Sequence, residues 1–375
     1  MFNILKSKSS LILLSIICLT FHSEASAAKQ KASIKKHHVK LIQPKKIPST
    51  NVHFENWEEI KELKRELINK FNYDGDEFDQ IIREVRLVES AIEAIKPMPP
   101  GKPKNWKVYR SRFVETARVN AGVKFWDRNE NDLKKAELEF GVPAEIIVGL
   151  IGVETIYGKN SGKYRAIDAI TTLAYAYPET PNKAARSKFF RNELVQLLIW
   201  AKEHNTDVLQ IKASYAGAIG LCQFMPSSLR EYAIDFDKDG KIDLLSSEAD
   251  AIGSVANYLA RHGWHKGLPY VFPATINTID NNMEATNAVV ATYLDRGLKA
   301  SHRLSELKPI VTTPDSKINE DILYGLIDLQ NGNEPTEYWL GTENFFAITQ
   351  YNRSYFYAMS VIDLGKAISS ARTIN

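Results

Sequence analysis

Gly141-Val142-Pro143-Ala144-Glu145-Ile146-Ile147-Val148-Gly149-Leu150-Ile151-Gly152-Val153-Glu154-Thr155-Ile156-Tyr157-Gly158 reads as an apolar helix with one carboxylate near its far end. Pro143 suits the first helical position because its missing N–H would be unpaired there anyway, and Glu145 lies favourably at the positive end of the helix dipole. Gly158 supplies a stop. The apolar residues at 146, 147, 148, 150, 151 and 153 circle the axis instead of forming one stripe, which is the pattern of a helix buried on all sides. Glu154 therefore sits where a charge is costly. A poorly solvated carboxyl keeps its proton to higher pH, as a general acid working near neutrality must. The alternative is a glutamate at a helix end that reaches water or pairs with a nearby Arg or Lys.

Outside this helix, three further blocks follow along the chain. They are Ser214-Tyr215-Ala216-Gly217-Ala218-Ile219-Gly220-Leu221-Cys222-Gln223-Phe224-Met225-Pro226-Ser227-Ser228, Asp250-Ala251-Ile252-Gly253-Ser254-Val255-Ala256-Asn257-Tyr258 and Ile348-Thr349-Gln350-Tyr351-Asn352-Arg353-Ser354. With Val142 to Thr155 they resemble the membrane-bound lytic murein transglycosylase B family, over roughly residues 105–265 and 337–372. The resemblance implies a mainly α (α+β) protein with a lysozyme-like catalytic core, an EF-hand-like loop, a helical domain and a small, partly β module. It also implies cleavage of the β-1,4 bond between N-acetylmuramic acid and N-acetylglucosamine in the glycan strands of peptidoglycan, leaving 1,6-anhydromuramic acid ends. Glu154 would protonate the leaving oxygen and then take the proton of the muramic acid 6-hydroxyl. Tyr109, Ser214, Gln223, Tyr258, Tyr351, Asn352 and Tyr357 would contact substrate, and Arg186 and Phe189 would lie by its peptide stems. The chain departs from the family pattern in a longer loop from Tyr177 to Ser187 and in Ala185, which replaces an arginine.

At 375 residues, with 44% hydrophobic and 25% charged residues, the chain has ordinary globular composition. Lys6 and Lys8, an apolar run from Leu11 to Leu19 and Ala25-Ser26-Ala27 together read as a secretory signal peptide, residues 1–27, and hence a periplasmic protein that could associate with the outer membrane. Ile17 before Cys18 speaks against a lipidation site. After cleavage Cys222 is the only cysteine, which excludes an intramolecular disulfide. Residues 28–50 carry seven lysines and no acid, a basic disordered linker able to rest on anionic membrane or wall polymers or to act as a solvated tether. The remainder is acidic, which argues against a nucleic-acid partner, and a monomer is expected.

Helical periodicity over 55–71 and 77–95 predicts a hairpin, followed by an extended proline linker from Pro97 to Pro103 and further helix over 106–140. This gives a helical domain at 51–135, the catalytic core at 136–266, a partly β module at 267–336 and a segment at 337–375 that completes the cleft. Asp168 is expected to cap a helix running to Tyr175, and a helix is expected over 189–204. Strands are expected around Tyr270-Val271-Phe272, Ala288-Val289-Val290 and Ile322 to Ile327, with a turn at Asn331-Gly332 and a closing helix from Ser354 to Ala371.

Asp235-Phe236-Asp237-Lys238-Asp239-Gly240-Lys241-Ile242-Asp243 has acids at positions 1, 3, 5 and 9 of a calcium loop, Lys241 at the backbone-carbonyl position and glycine at 6. Ser246 stands where a bidentate glutamate belongs, and the family resemblance makes Asp250 the later ligand. Asp250 could instead complete a capping box opened by Ser247. His262 and His265 make no metal site, because Gly263 and Trp264 break the helix between them. Two other functions stay open at this level: a hydrolytic muramidase with a second carboxylate such as Asp168, and a non-catalytic wall-binding protein.

Overall fold

The computed structural model describes residues 52–97, 103–294, 297–314 and 318–374; the signal peptide, the basic linker and most of the proline linker lie outside them. Helices Glu58–Phe71 and Gly75–Glu84 form the expected hairpin, with Asp74 accepting the Asp76 and Glu77 amides at the second N-terminus. The helix expected over 77–95 is broken. Val85 is extended, and the Arg86 and Val88 amides are taken by Asp168 Oδ1 and Thr172 Oγ1 of helix Ala166–Tyr175, both at 3.0 Å. Side-chain acceptors brought in from the core thus replace the helical carbonyls, and a separate helix Glu89–Ile95 follows. Residues 106–140 likewise divide into helices Trp106–Ser111, Thr116–Arg128 and Glu130–Phe140.

The central helix is Ala144–Thr155, and Ile146 to Val153 are all buried. Pro143 stands one place before the first helical residue, with extended backbone. The stop also comes earlier than Gly158, because Ile156 and Tyr157 already have left-handed backbone (φ 52° and 56°). For a β-branched residue that conformation is costly, and the bonds around it hold it in place. Ile156 N still reaches Gly152 O at 3.2 Å, Gly158 N goes to Thr155 Oγ1 at 3.0 Å, and Asn160 N to Thr155 O at 2.9 Å.

Helix Tyr355–Ile374 lies along the central helix at a distance only glycine permits. A Cβ on Gly149 would stand 2.3 Å from Val361 O, and one on Gly365 2.2 Å from Glu145 O. Each buried Val, Leu or Ile in this layer contributes about 1.5–3 kcal/mol relative to exposure.

The partly β module is an antiparallel sheet in the order His302–Arg303, Leu323–Asn331, Glu334–Gly341, Val271–Ile276, Val311–Thr312. Gly332, at φ 66°, makes the expected turn, and strand Glu334–Gly341 runs across position 336. Alternate residues serve two cores: Ile327 and Leu329 face the helices, while Leu326 and Leu340 join Val290, Leu304 and Leu307 on the other side. The strand expected at Ala288-Val289-Val290 is absent. Those residues lie in helix Met283–Leu294, where Thr286 and Val290, four apart, present one buried face that outweighs the β preference of the valines. Among the described residues no helix is long and apolar enough to cross a membrane.

Candidate active site

Glu154 is on the last turn of the central helix, partly accessible yet enclosed by protein. Burial pushes its carboxyl up to about 7, and the Tyr357 hydroxyl, donating to Oε1 at 2.5 Å, opposes part of that rise. Tyr357 comes from the last helix, 203 residues later. Among the described residues no cation pairs with it. Arg118, buried on helix Thr116–Arg128, sends Nη1 to the carbonyls of Gly152 and Val153 at 3.1 and 3.4 Å. On the far side Thr155 Oγ1 donates to Leu221 O at 3.0 Å.

A shell of aromatic rings surrounds the carboxyl. Tyr351 stacks on Tyr357 with centroids 6.5 Å apart and donates to Cys222 O at 2.5 Å. Tyr258 packs edge-on against Tyr351 and donates to Gln350 O at 2.8 Å; Asn352 is buried beside this pair. Tyr109 packs on Phe113 and Phe356. Ser214 and Gln223 are turned to the backbone: Ser214 Oγ accepts the Ala218 amide at 3.1 Å, and Gln223 Nε2 donates to Ser161 O and Gly220 O at 3.1 and 2.9 Å. The Gln223 amide oxygen, an acceptor, is the atom left to offer a ligand.

Arg186 and Phe189 lie in a helix that begins earlier than expected, Lys183–Glu203. The Arg186 guanidinium is only 2% exposed, surrounded by the rings of Tyr177, Phe189 and Phe190 at 5.9, 5.3 and 5.1 Å, with Nε donating to Tyr177 Oη. Asp168 is not the expected cap. It lies inside the first turn of helix Ala166–Tyr175, and its two oxygens hold Arg165 Nε and Nη2 at 2.7 and 2.8 Å and the Arg86 amide. The guanidinium three residues back takes the carboxylate that would otherwise have met the helix N–H groups. Glu193 went unnoticed in the sequence because a glutamate in an amphipathic helix reads as surface. It is buried, accepts the Ser227 amide and hydroxyl at 2.8 Å at the start of helix Pro226–Tyr232, and is pushed up to about 7 by burial.

In the acidic loop, oxygens of Asp235, Asp237 and Asp250 lie within 4.8 Å of one another. This hard, anionic oxygen set fits a calcium ion. Asp239 and Asp243 are outside the cluster: Asp239 accepts the Lys241 amide, and Asp243 accepts those of Leu245 and Ser246. Asp250 does not complete a capping box, because the Ser247 amide donates to Asp243 O instead of to the Asp250 carboxylate. Its amide is capped by Ser247 Oγ, while its carboxylate accepts the Phe236 and Asp243 amides at 2.7 and 2.8 Å. Gly220-Leu221 ties this loop to the cleft, since Leu221 N donates to Leu244 O at 2.8 Å. His262 Nδ1 lies 2.7 Å from Tyr258 O, and His265 Nε2 lies 2.7 Å from a Glu343 carboxylate oxygen.

Residues 55–366 match the Transglycosylase SLT domain family. The chain is 38% identical over 315 residues to the membrane-bound lytic murein transglycosylase B of Escherichia coli (strain K12), covering 82% of this chain and 81% of that protein. It is similar to the crystal structure of the Escherichia coli lytic transglycosylase Slt35 in complex with calcium, at TM-score 0.73 and 36% identity, covering 85% of this chain and 95% of that one. Pseudomonas aeruginosa SltB3, solved in complex with NAG-anhNAM-pentapeptide, matches at TM-score 0.69 and 26% identity, over 83% of this chain and 79% of that one.

Proposed function

The chain belongs to the Transglycosylase SLT domain family, and from this premise we propose that it is a lytic transglycosylase cutting the β-1,4 bond between N-acetylmuramic acid and N-acetylglucosamine in peptidoglycan. The observation that carries the reading is Glu154, a carboxyl enclosed by protein whose proton burial holds to about pH 7, with the neutral Tyr357 hydroxyl hydrogen-bonded to it. Protonated Glu154 gives its proton to the glycosidic oxygen as the bond to C1 breaks. The resulting carboxylate is met by the Tyr357 hydroxyl, whose bond to an ionised acceptor is stronger than to a neutral one. It then removes the proton of the muramic acid 6-hydroxyl while that oxygen bonds to C1, so one carboxyl serves both steps. The 6-hydroxyl is tethered to the same sugar and outcompetes free water. Asp168, taken up by Arg165 and the Arg86 amide, has a structural engagement that supports a single working carboxyl.

Tyr109, Tyr351, Asn352, Tyr357 and the Gln223 amide oxygen are proposed to line the sugar path, with Ser214 and Tyr258 shaping its walls and Arg186 and Phe189 standing toward the peptide stems. Calcium is proposed to bind Asp235, Asp237 and Asp250, with the Lys241 carbonyl supplying the backbone oxygen of the loop, in a structural role. The protein is proposed to act in the periplasm on glycan strands.

Glu154→Gln should lower cleavage of purified sacculi by at least about 10²- to 10⁴-fold while wall binding persists. Mass analysis of the wild-type digest should give anhydro ends about 18 mass units below the reducing ends that hydrolysis gives. Reducing muramic acid ends as the main product would replace this reading by a muramidase, and undiminished cleavage by the variant would remove Glu154 from the chemistry.

A further inference from the structure

We propose that Arg118 is a positioning residue for proton transfer by Glu154, an inference that rests on the reading of Glu154 given above. The chain leaves the central helix through three successive left-handed residues, Ile156, Tyr157 and Gly158. That exit ends the helical ladder early and leaves carbonyls of the last turn in need of donors. Ile156 N serves Gly152 O, and Arg118 Nη1 supplies a donor to both Gly152 O and Val153 O. A cation there is also favoured by the negative end of the helix dipole. Glu154 is thus held between two anchors, the Val153 carbonyl fixed by Arg118 and the Thr155 hydroxyl fixed by Leu221.

The Arg118 guanidinium is itself held. It lies over the Phe113 ring at 5.2 Å, is 9% exposed, and among the described residues has one long carboxylate contact, Glu115 at 3.8 Å from Nε. Its cost of burial is offset by the carbonyls it serves, and its ordinary pKa is lowered by desolvation, consistent with a cation kept for geometry and not for an ion pair. Because Glu154 must meet the glycosidic oxygen and the Tyr357 hydroxyl at hydrogen-bond range together, freeing the Val153–Glu154 backbone affects the transfer step and leaves sugar binding by the other residues in place.

The test compares wild type, Glu154→Gln, Arg118→Met and Arg118→Lys on a soluble muropeptide oligomer, at a temperature where circular dichroism shows each protein folded. Arg118→Met keeps an unbranched stem against Phe113 and loses the donors. Its kcat should fall on the order of 10- to 100-fold with KM within about threefold, and Arg118→Lys should recover part of the rate. A kcat within about twofold of wild type, with only the melting temperature lowered, would make Arg118 purely structural and overturn the proposal. A change confined to KM would overturn it as well. Should Arg118→Met not fold, Arg118→Lys decides by the same split. Activity in Glu154→Gln would instead sink the assignment of Glu154 itself, whatever the Arg118 variants do.

Discussion

At Glu154 the property needed for chemistry is a property that costs stability. The unfolded carboxyl titrates near 4.5 and the folded one near 7, so between those values the folded protein holds a proton that the unfolded chain has lost. Stability from this group is complete below pH 4.5, falls as pH rises toward 7, and is level above it. Glu154→Gln removes that loss. Urea unfolding at pH 5 and pH 8 should show the variant gaining on wild type with rising pH, by up to about 3 kcal/mol at pH 8. A difference independent of pH would mean that Glu154 is solvated in the folded state. This residue was legible in the sequence because its surroundings are its own helix, whose apolar residues on every side announce desolvation. Arg118 and Glu193 were not, since their partners at Gly152, Val153 and Ser227 are brought to them only by the fold.

Among the elements, the acidic loop shows how far spacing alone carries. The acids at alternate positions marked a cation loop, but which of them converge depends on backbone bonds: Asp239 and Asp243 turn to nearby amides, and Asp250 reaches in from the next helix. Calcium should raise the melting temperature by mass action on the native state, and Asp235→Asn or Asp237→Asn should remove that calcium-dependent rise. Identical melting curves in calcium and in chelator would exclude the site. Asp239→Asn, outside the cluster, should keep most of the rise. Elements whose signal was local, such as the central helix, the Asn331-Gly332 turn and the closing helix, were readable. The break at Val85 to Val88 was not, because its cause lies in Asp168 and Thr172, more than eighty positions away. The helix at Ala288 to Val290 was missed because valine favours a strand until burial opposite a sheet decides otherwise.

Over the whole molecule, the hairpin, the core and the final helix share one continuous apolar core, and specific polar joints tie them together beside it. Asp168 is one: a buried carboxylate shared between Arg165 of the core and the Arg86 amide of the N-terminal segment. Asp168→Asn keeps the shape but cannot accept from all three donors. It should lower stability by about 1–3 kcal/mol in urea titration while the products of digestion stay unchanged. A shift from anhydro to reducing ends would mean that this carboxylate takes part in the reaction. The central helix and the helix from Tyr355 approach so closely at Gly149 and Gly365 that no side chain intervenes, and the hydroxyl facing Glu154 rides on that second helix. Synthesis proceeds from the N-terminus, so the acid is made about two hundred residues ahead of the tyrosine that meets it. A fragment that ends before Tyr355, from a stalled ribosome or a protease, carries the acid without the hydroxyl that meets it or the helix that packs on Gly149.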